Sequence, residues 1–236
     1  MTQGPAQLAL LFVVGAVASG INTVAGGGSL ISFPMLTWLG MPSLIANTTN
    51  SVGLWPGSLS GAVGYWNHLP KTARYLKLLT IPTIVGSLAG TLLLLQTGNK
   101  VFTALVPFLL LSAALLLWFQ PQVKAFVAKR KSTVSPAFAA ILQFLVATYG
   151  GYFGAGMGIM MLAVFVLFMN ENIHEINAVK NWLGVIINVV ASIMFFSKGI
   201  VVVDAAIALA LGSLVGGFAS AKLSQKVDSE RLRTWI

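Results

Sequence analysis

Apolar residues in this chain fall in long blocks, separated by short polar or glycine-rich breaks. Blocks of this kind predict helices, because a strict two-residue alternation would mark strands. The first half reads as blocks over 6–23, 29–39, 47–66, 76–95 and 101–119. The second reads as 137–153, 159–169, 181–196 and 202–221. The 76–95 block is twenty residues long. At about 1.5 Å per residue it spans about 30 Å, the thickness of a bilayer's hydrocarbon core. Between the halves, 120–135 carries Lys124, Lys129, Arg130 and Lys131 and reads as a polar connector. No basic residue precedes the first block, which runs straight into a glycine motif, so it does not read as a signal peptide.

Composition narrows the class. Of 236 residues, 8% are charged and 57% are hydrophobic, and the mean hydropathy is +0.88. An ordinary soluble domain is about 25% charged, so these charges are too few to coat a soluble enzyme of this size. A disordered chain is excluded by the apolar content. The net charge of +9 does not mark a nucleic-acid binder, because the basic residues are dispersed among apolar blocks. There is no cysteine, hence no disulfide, thiolate metal site or cysteine nucleophile. What remains is a polytopic membrane protein, and apolar blocks of this length select an all-α helical bundle over a barrel.

The two halves align with each other. The run from Ala25 to Ser29 matches the run from Gly154 to Gly158 at an offset of 129, and Gly86 and Gly90 match Gly212 and Gly216 at an offset of 126. The aromatic pair Tyr65-Trp66 corresponds to Phe195-Phe196. The expected organisation is a first transmembrane repeat over 1–119, a cytoplasmic connector over 120–135 and a second repeat over 136–236. The counterpart of the 101–119 block would begin after Val227, so a final helix is expected to be truncated or absent. Five blocks per half is an odd number, which inverts the second half relative to the first, the arrangement of many secondary transporters. Basic residues agree with it. With the N-terminus outside, Lys71, Arg74, Lys77, the four connector cations, Lys222, Lys226, Arg231 and Arg233 are all cytoplasmic, eleven of the 14. The short glycine-linked blocks either span or re-enter, and both choices keep this parity.

Candidate chemistry concentrates at the glycine clusters. Gly26, Gly27, Gly28 and Ser29, and Gly154, Gly156 and Gly158, each precede a short apolar block. A helix broken there would expose main-chain N–H groups at a positively polarised end, which binds anions without a charged side chain. Close helix packing through small residues is the other reading, and it is the expectation for Gly86, Gly90, Gly212 and Gly216. The polar run from Asn47 to Ser51, with Thr49 and Asn50, opens its block, and its counterpart runs from Asn177 to Asn181. Helix capping and convergence on a central cavity are both open. Lys180 reads either as a counter-charge for an anion or as a snorkelling interfacial lysine. Asn188 and Ser192 share a face one turn apart, lining a path or bonding a neighbour; Asn22 has the same two readings. Glu171 and His174 have a metal-ligand spacing, but one copy in a predicted loop with Glu175 reads as solvated, as does His68. Asp204 reads as a helix cap.

The chain resembles the sulfite exporter TauE/SafE family of bacterial membrane permeases. The resemblance rests on AGGGSLISFP at 25–34, ANTTNS at 46–51 and GYFGAGMG at 151–158, and extends over essentially the whole chain. Similar sequences often carry a lysine after Thr-Asn in the first half, where this chain has Ser51; Lys180 falls where they also carry lysine. The resemblance implies two homologous halves, about eight spans, and movement of organic or inorganic sulfur anions. Taken together, the expectation is an alternating-access carrier of small anions in a bacterial inner membrane, with no cofactor. The candidate ligands are Gly26, Gly27, Gly28, Ser29, Asn47, Thr49, Asn50, Gly154, Gly156, Gly158, Lys180, Asn181 and Asn188. The partners are a small anion and the lipid bilayer; the coupling ion is unassigned and a homo-oligomer stays open. A passive anion channel or a scaffold subunit is the rival. An intramembrane enzyme would need a nucleophile with a base, or buried metal ligands.

Overall fold

The computed structural model describes residues 3–119 and 135–227. The connector cations Lys124, Lys129, Arg130 and Lys131, together with Arg231 and Arg233 and the expected start of a closing helix, lie outside the described residues. All the regular structure described is helical: α1 (Pro5–Val24), α2 (Ser29–Trp38), α3 (Ser43–Gly64), a 3-10 turn (Trp66–His68), α4 (Leu69–Trp118), α5 (Pro136–Tyr152), α6 (Met157–Phe165), α7 (Ile173–Ser197) and α8 (Val203–Ser224). Four of these segments are long and apolar enough to cross a membrane: Pro5–Val24, Trp66–Leu115, Ile173–Ser197 and Val203–Ser224. α3 has the length too, about 33 Å over its 22 residues. Its polar run lowers its hydropathy, and it is shielded by packing against α1, α7 and α8. The protein is a polytopic all-α membrane bundle.

Local signals set the helix ends. Pro5 and Pro136 open α1 and α5, where a missing N–H is harmless. Asn172 opens α7 through a capping box. Its Oδ1 accepts from the His174 and Glu175 amides at 3.0 Å each, and Glu175 Oε2 accepts from the Asn172 amide at 3.1 Å. The predicted blocks 76–95 and 101–119 are the two arms of α4, broken at Gly98, whose φ of 69° a side chain would resist.

Three sequence expectations change here. α3 begins four residues before Asn47 and α7 begins four residues before Asn177, so both polar runs lie inside helices rather than opening them. Tertiary contacts stabilise those polar positions, and the true starts follow Pro42 and Asn172. Glu171, His174 and Glu175 are not a solvated loop. His174 and Glu175 are buried in the first turn of α7, Glu175 pairs with Lys71 at 3.5 Å and Glu171 with Arg74 at 2.9 Å. The His68 ring packs 5.6 Å from that of His174. Asp204 is not the cap residue of α8, which is Val202; its carboxylate accepts from the Gln3 amide at 2.7 Å and the Ala205 amide at 2.8 Å.

The molecule has two ends. At one, the start of α1 meets the start of α8 through Gln3 and Asp204, Asn99 Oδ1 accepts from the Leu44 amide at 3.3 Å, and Thr49 Oγ1 accepts from the Val202 amide at 3.1 Å. At the other end, about 33 Å along α3, Tyr65 shares a 2.5 Å hydrogen bond with Ser224. Burial pushes the Tyr65 phenol up to about 12, so it stays protonated. The Lys71–Glu175 and Arg74–Glu171 pairs stand at this same end.

α2 returns the chain to the end where α1 began, so α1 and α2 form a hairpin that enters from one end. α5 and α6 form a second hairpin from the opposite end, where Pro136 shares a surface pocket with Arg74, Phe168 and Asn170. Between the hairpins and the surrounding helices lie two large apolar cores, with a small third cluster of Tyr65, Ala178 and Ala221. One gathers Leu11, Phe33, Leu36, Leu94, Phe102 and Phe195. The other gathers Tyr75, Leu79, Met161, Phe165, Ile176 and Leu183. A polar layer separates them.

Because the chain has no native cysteine, single cysteines report topology cleanly. Lys71→Cys and Lys198→Cys are expected to react with an impermeant maleimide from opposite faces of the membrane; labelling of both from one face would contradict this arrangement.

Candidate functional site

The polar layer is built where the hairpins turn. Between α1 and α2 the chain breaks at Gly26, with φ 91°, and between α5 and α6 at Gly154 and Gly156, with φ 77° and 78°. The two breaks touch. A Cβ on Gly26 would overlap the main chain of Gly158, and one on Gly158 would lie 2.5 Å from the Gly26 α-carbon. Gly28 lies against the Ala18 carbonyl, and Gly156 against Ala113. The glycine clusters therefore serve both readings at once: they break helices, and they let backbones meet at a separation a side chain forbids. The outer pairs pack as small residues do. Gly86 and Gly90 lie on the backbone of α5 at Phe144 and Thr148, and Gly212 and Gly216 on that of α1 at Phe12 and Ala16.

Each break leaves main-chain ends that lipid cannot satisfy. The carbonyl ends are served by the other half. Lys180 Nζ donates to the carbonyls of Asn22 at 2.9 Å and Thr23 at 2.8 Å. Asn181 Nδ2 donates to Thr23 at 3.1 Å and, one turn back along its own helix, to Asn177 at 2.9 Å. In return, Asn47 Nδ2 of α3 donates to the Tyr152 carbonyl, the end of α5, at 3.2 Å. Tyr152 is the position that the offset of 129 relates to Thr23. Lys180 lies seven residues into α7, about 10 Å from its start. It is 3% exposed, so the snorkelling reading fails: the side chain turns inward to two carbonyls.

The amide ends are left open. The main-chain N–H groups of Gly27, Gly28 and Ser29, and of Ala155, Gly156 and Gly158, find no acceptor among the described residues. Two small adjoining cavities lie beside them. The first is lined by Asn22, Ser29, Asn50, Ser51, Gly154 and Asn188. The second is lined by Asn22, Ser58, Gly158, Lys180, Asn181 and Gly184. Met157 borders both. Each has room for about one water molecule. Asn50 is 4% exposed and its Oδ1 has no partner, a costly arrangement for a buried polar group. Asn188 Nδ2 is held by the Gly184 carbonyl at 2.9 Å.

The structure thus brings Ser29, Asn50, Gly154, Gly158, Lys180, Asn181 and Asn188 to one interior region. Gly26, Gly27, Gly28 and Gly156 shape the breaks without lining a cavity. Asn47 is spent on Tyr152, and Thr49 on the Val202 amide at the start of α8, away from the cavities. Ser51 and Ser58 are lining residues absent from the sequence-based candidate set. An offset of 130 from Asn181 and Asn188 points to them directly.

These features define a class, a polytopic membrane transporter with a polar interior assembled at two interrupted helices. The chain belongs to the sulfite exporter TauE/SafE family, whose model matches residues 11–236. It is 29% identical over 230 residues to a probable membrane transporter protein of Haemophilus influenzae, covering 97% of this chain and 89% of the relative. It is 26% identical over 232 residues to the probable membrane transporter protein YfcA of Escherichia coli K12, covering 98% and 86%. A further relative, the probable membrane transporter protein ORF9 of a Sinorhizobium species, is 29% identical over 210 residues, covering 89% and 80%. No solved structure matches the chain significantly.

The glycine geometry separates two substitutions. A Cβ on Gly27 would lie 3.1 Å from the mobile end of Ile159, whereas one on Gly28 would strike the Ala18 main chain. Gly27→Ala is expected to unfold within a few tenths of a kcal/mol of wild type, and Gly28→Ala to lose about 1–3 kcal/mol. Thermal unfolding of the two purified variants checks this, and equal losses would show that the tight contact is misplaced.

Proposed function

We propose that the protein is a secondary carrier of small anions, with sulfur oxyanions or organosulfonates as substrates, working by alternating access. The observation that carries this reading is the cluster of unpaired amides at two broken helices, beside a cavity that the buried Asn50 carboxamide lines. Amides at a half-helix N-terminus replace the water of an anion and add a positive end. Lys180 contributes the one formal charge among the lining residues. Ser29, Ser51 and Ser58 supply hydroxyls that serve as donor or acceptor.

The cavities are smaller than a sulfur oxyanion, so loading requires the two hairpins to part. The apolar core on either side of the polar layer acts as a plug, and loosening one at a time exposes the layer to one side at a time. Two halves of the same design, inverted with respect to each other, would make the two open forms near-equivalent. The reciprocal caps, Asn47 on Tyr152 and Asn181 on Thr23, lie one helical turn apart in the alignment of the halves and support two related halves. The protein would sit in a bacterial inner membrane with the Lys71 end cytoplasmic, since Lys71, Arg74, Lys77, Lys222 and Lys226 belong to that end and Lys100 and Lys198 to the other.

Proteoliposomes preloaded with unlabelled sulfite are expected to take up labelled sulfite faster than empty ones, with saturation. Asn50→Leu is expected to lower apparent affinity about tenfold, the loss of one buried polar contact. Flux linear in concentration, with no acceleration by preloading, would instead identify a passive channel.

A further inference from the structure

Carriers built on interrupted helices divide the work between helix ends. Half-helix N-termini hold the anionic group, and the carbonyls at C-terminal ends hold a coupling cation. In this protein the second kind of place is already filled by the chain. The Asn22 and Thr23 carbonyls at the end of α1 take the Lys180 ammonium at 2.9 and 2.8 Å. The Tyr152 carbonyl at the end of α5 takes Asn47. We propose that Lys180 is a tethered substitute for the coupling cation: its ammonium supplies the positive charge that a sodium ion would bring, and anion movement proceeds without sodium. The inference rests on the reading of the chain as an anion carrier.

Three observations support it. An ammonium and a sodium ion are both compact cations that neutral oxygens solvate, and two carbonyls on consecutive residues form part of such a shell. The charge is not spent on an acid among the described residues. Glu171 pairs with Arg74 and Glu175 with Lys71 at one end, and Asp204 takes two amides at the other. An ammonium has three donors; two go to carbonyls, which leaves one for the cavity that Lys180 lines beside Ser58 and Gly158. The same group therefore closes a helix end and faces the place proposed for the substrate. The end of α1 is also where a helix is negatively polarised, which favours a cation at that point.

The test uses the purified full chain and compares sodium, methylammonium and choline chlorides at constant ionic strength. Wild-type Tm and sulfite flux are expected to be the same in sodium and in choline. Lys180→Ala is expected to lower Tm by about 5–10 °C, as leaving two buried carbonyls without their donor does. Sodium or methylammonium, small enough to enter the vacated space, should restore part of that loss, and choline should not. Lys180→Met, which keeps the stem but closes the space, should be neither rescued by the small cations nor more stable in sodium. A sodium-specific rise in wild-type Tm or flux overturns the proposal. So does a Lys180→Ala variant that no small cation stabilises, and if that variant fails to fold, the wild-type comparison decides. Wild-type protein with no saturable flux in any cation defeats the carrier reading itself, a result distinguishable because the thermal comparison needs no transport.

Discussion

A main-chain carbonyl at the end of a helix inside a bilayer has no water to turn to, and leaving it unpaired costs about 1–3 kcal/mol. The centre of this protein is organised by that constraint. Two helices, α1 and α5, stop within the polar interior, and the groups that close them come from the opposite half: Lys180 and Asn181 for α1, Asn47 for α5. The Ala155 carbonyl is served from its own hairpin, by the Tyr149 hydroxyl at 2.7 Å, whereas the Thr23 and Tyr152 carbonyls depend on the other half. The halves are therefore joined by necessity, and the joint lies in the polar layer.

The glycines follow from the same arrangement. For side chains on α3 and α7 to reach the ends of α5 and α1, the two hairpin turns must overlap. They overlap only because Gly26 and Gly158 present bare backbone to each other. What this leaves over is a set of amides with no acceptor among the described residues, beside two cavities with room for about one water each. Carbonyl ends are closed and amide ends are open. That asymmetry leaves donors, rather than acceptors, as the open main-chain groups beside the cavities. The caps fix where the hairpin tips lie.

Much of this was legible from residue order. Block length and scarcity of charge select a helical membrane bundle. The matched glycine clusters mark the breaks, and the polar runs near Asn47 and Asn177 mark the helices that serve them. The helix starts were misplaced because a run such as Asn47 to Ser51 has the look of a cap, and only contacts from other helices make it stable in a helix interior. The capping box at Asn172 and Glu175 was present in the sequence. It overlaps the metal-like spacing of Glu171 and His174. Thr49 stood beside Asn50 with the same chemistry, yet a helix turns about 100° per residue, so one side chain faces the cavity and its neighbour the start of α8.

Sequence alone determined the solvent, the element type and the places where helices break, since these depend on local composition and on what glycine permits. The tertiary structure decided which end each break is closed from, and so whether Lys180 reaches lipid, a ligand or a carbonyl. It also decided which polar residues share a cavity. Those outcomes turn on distances between segments more than a hundred residues apart in the chain, and no local pattern encodes which face of one helix will meet the end of another.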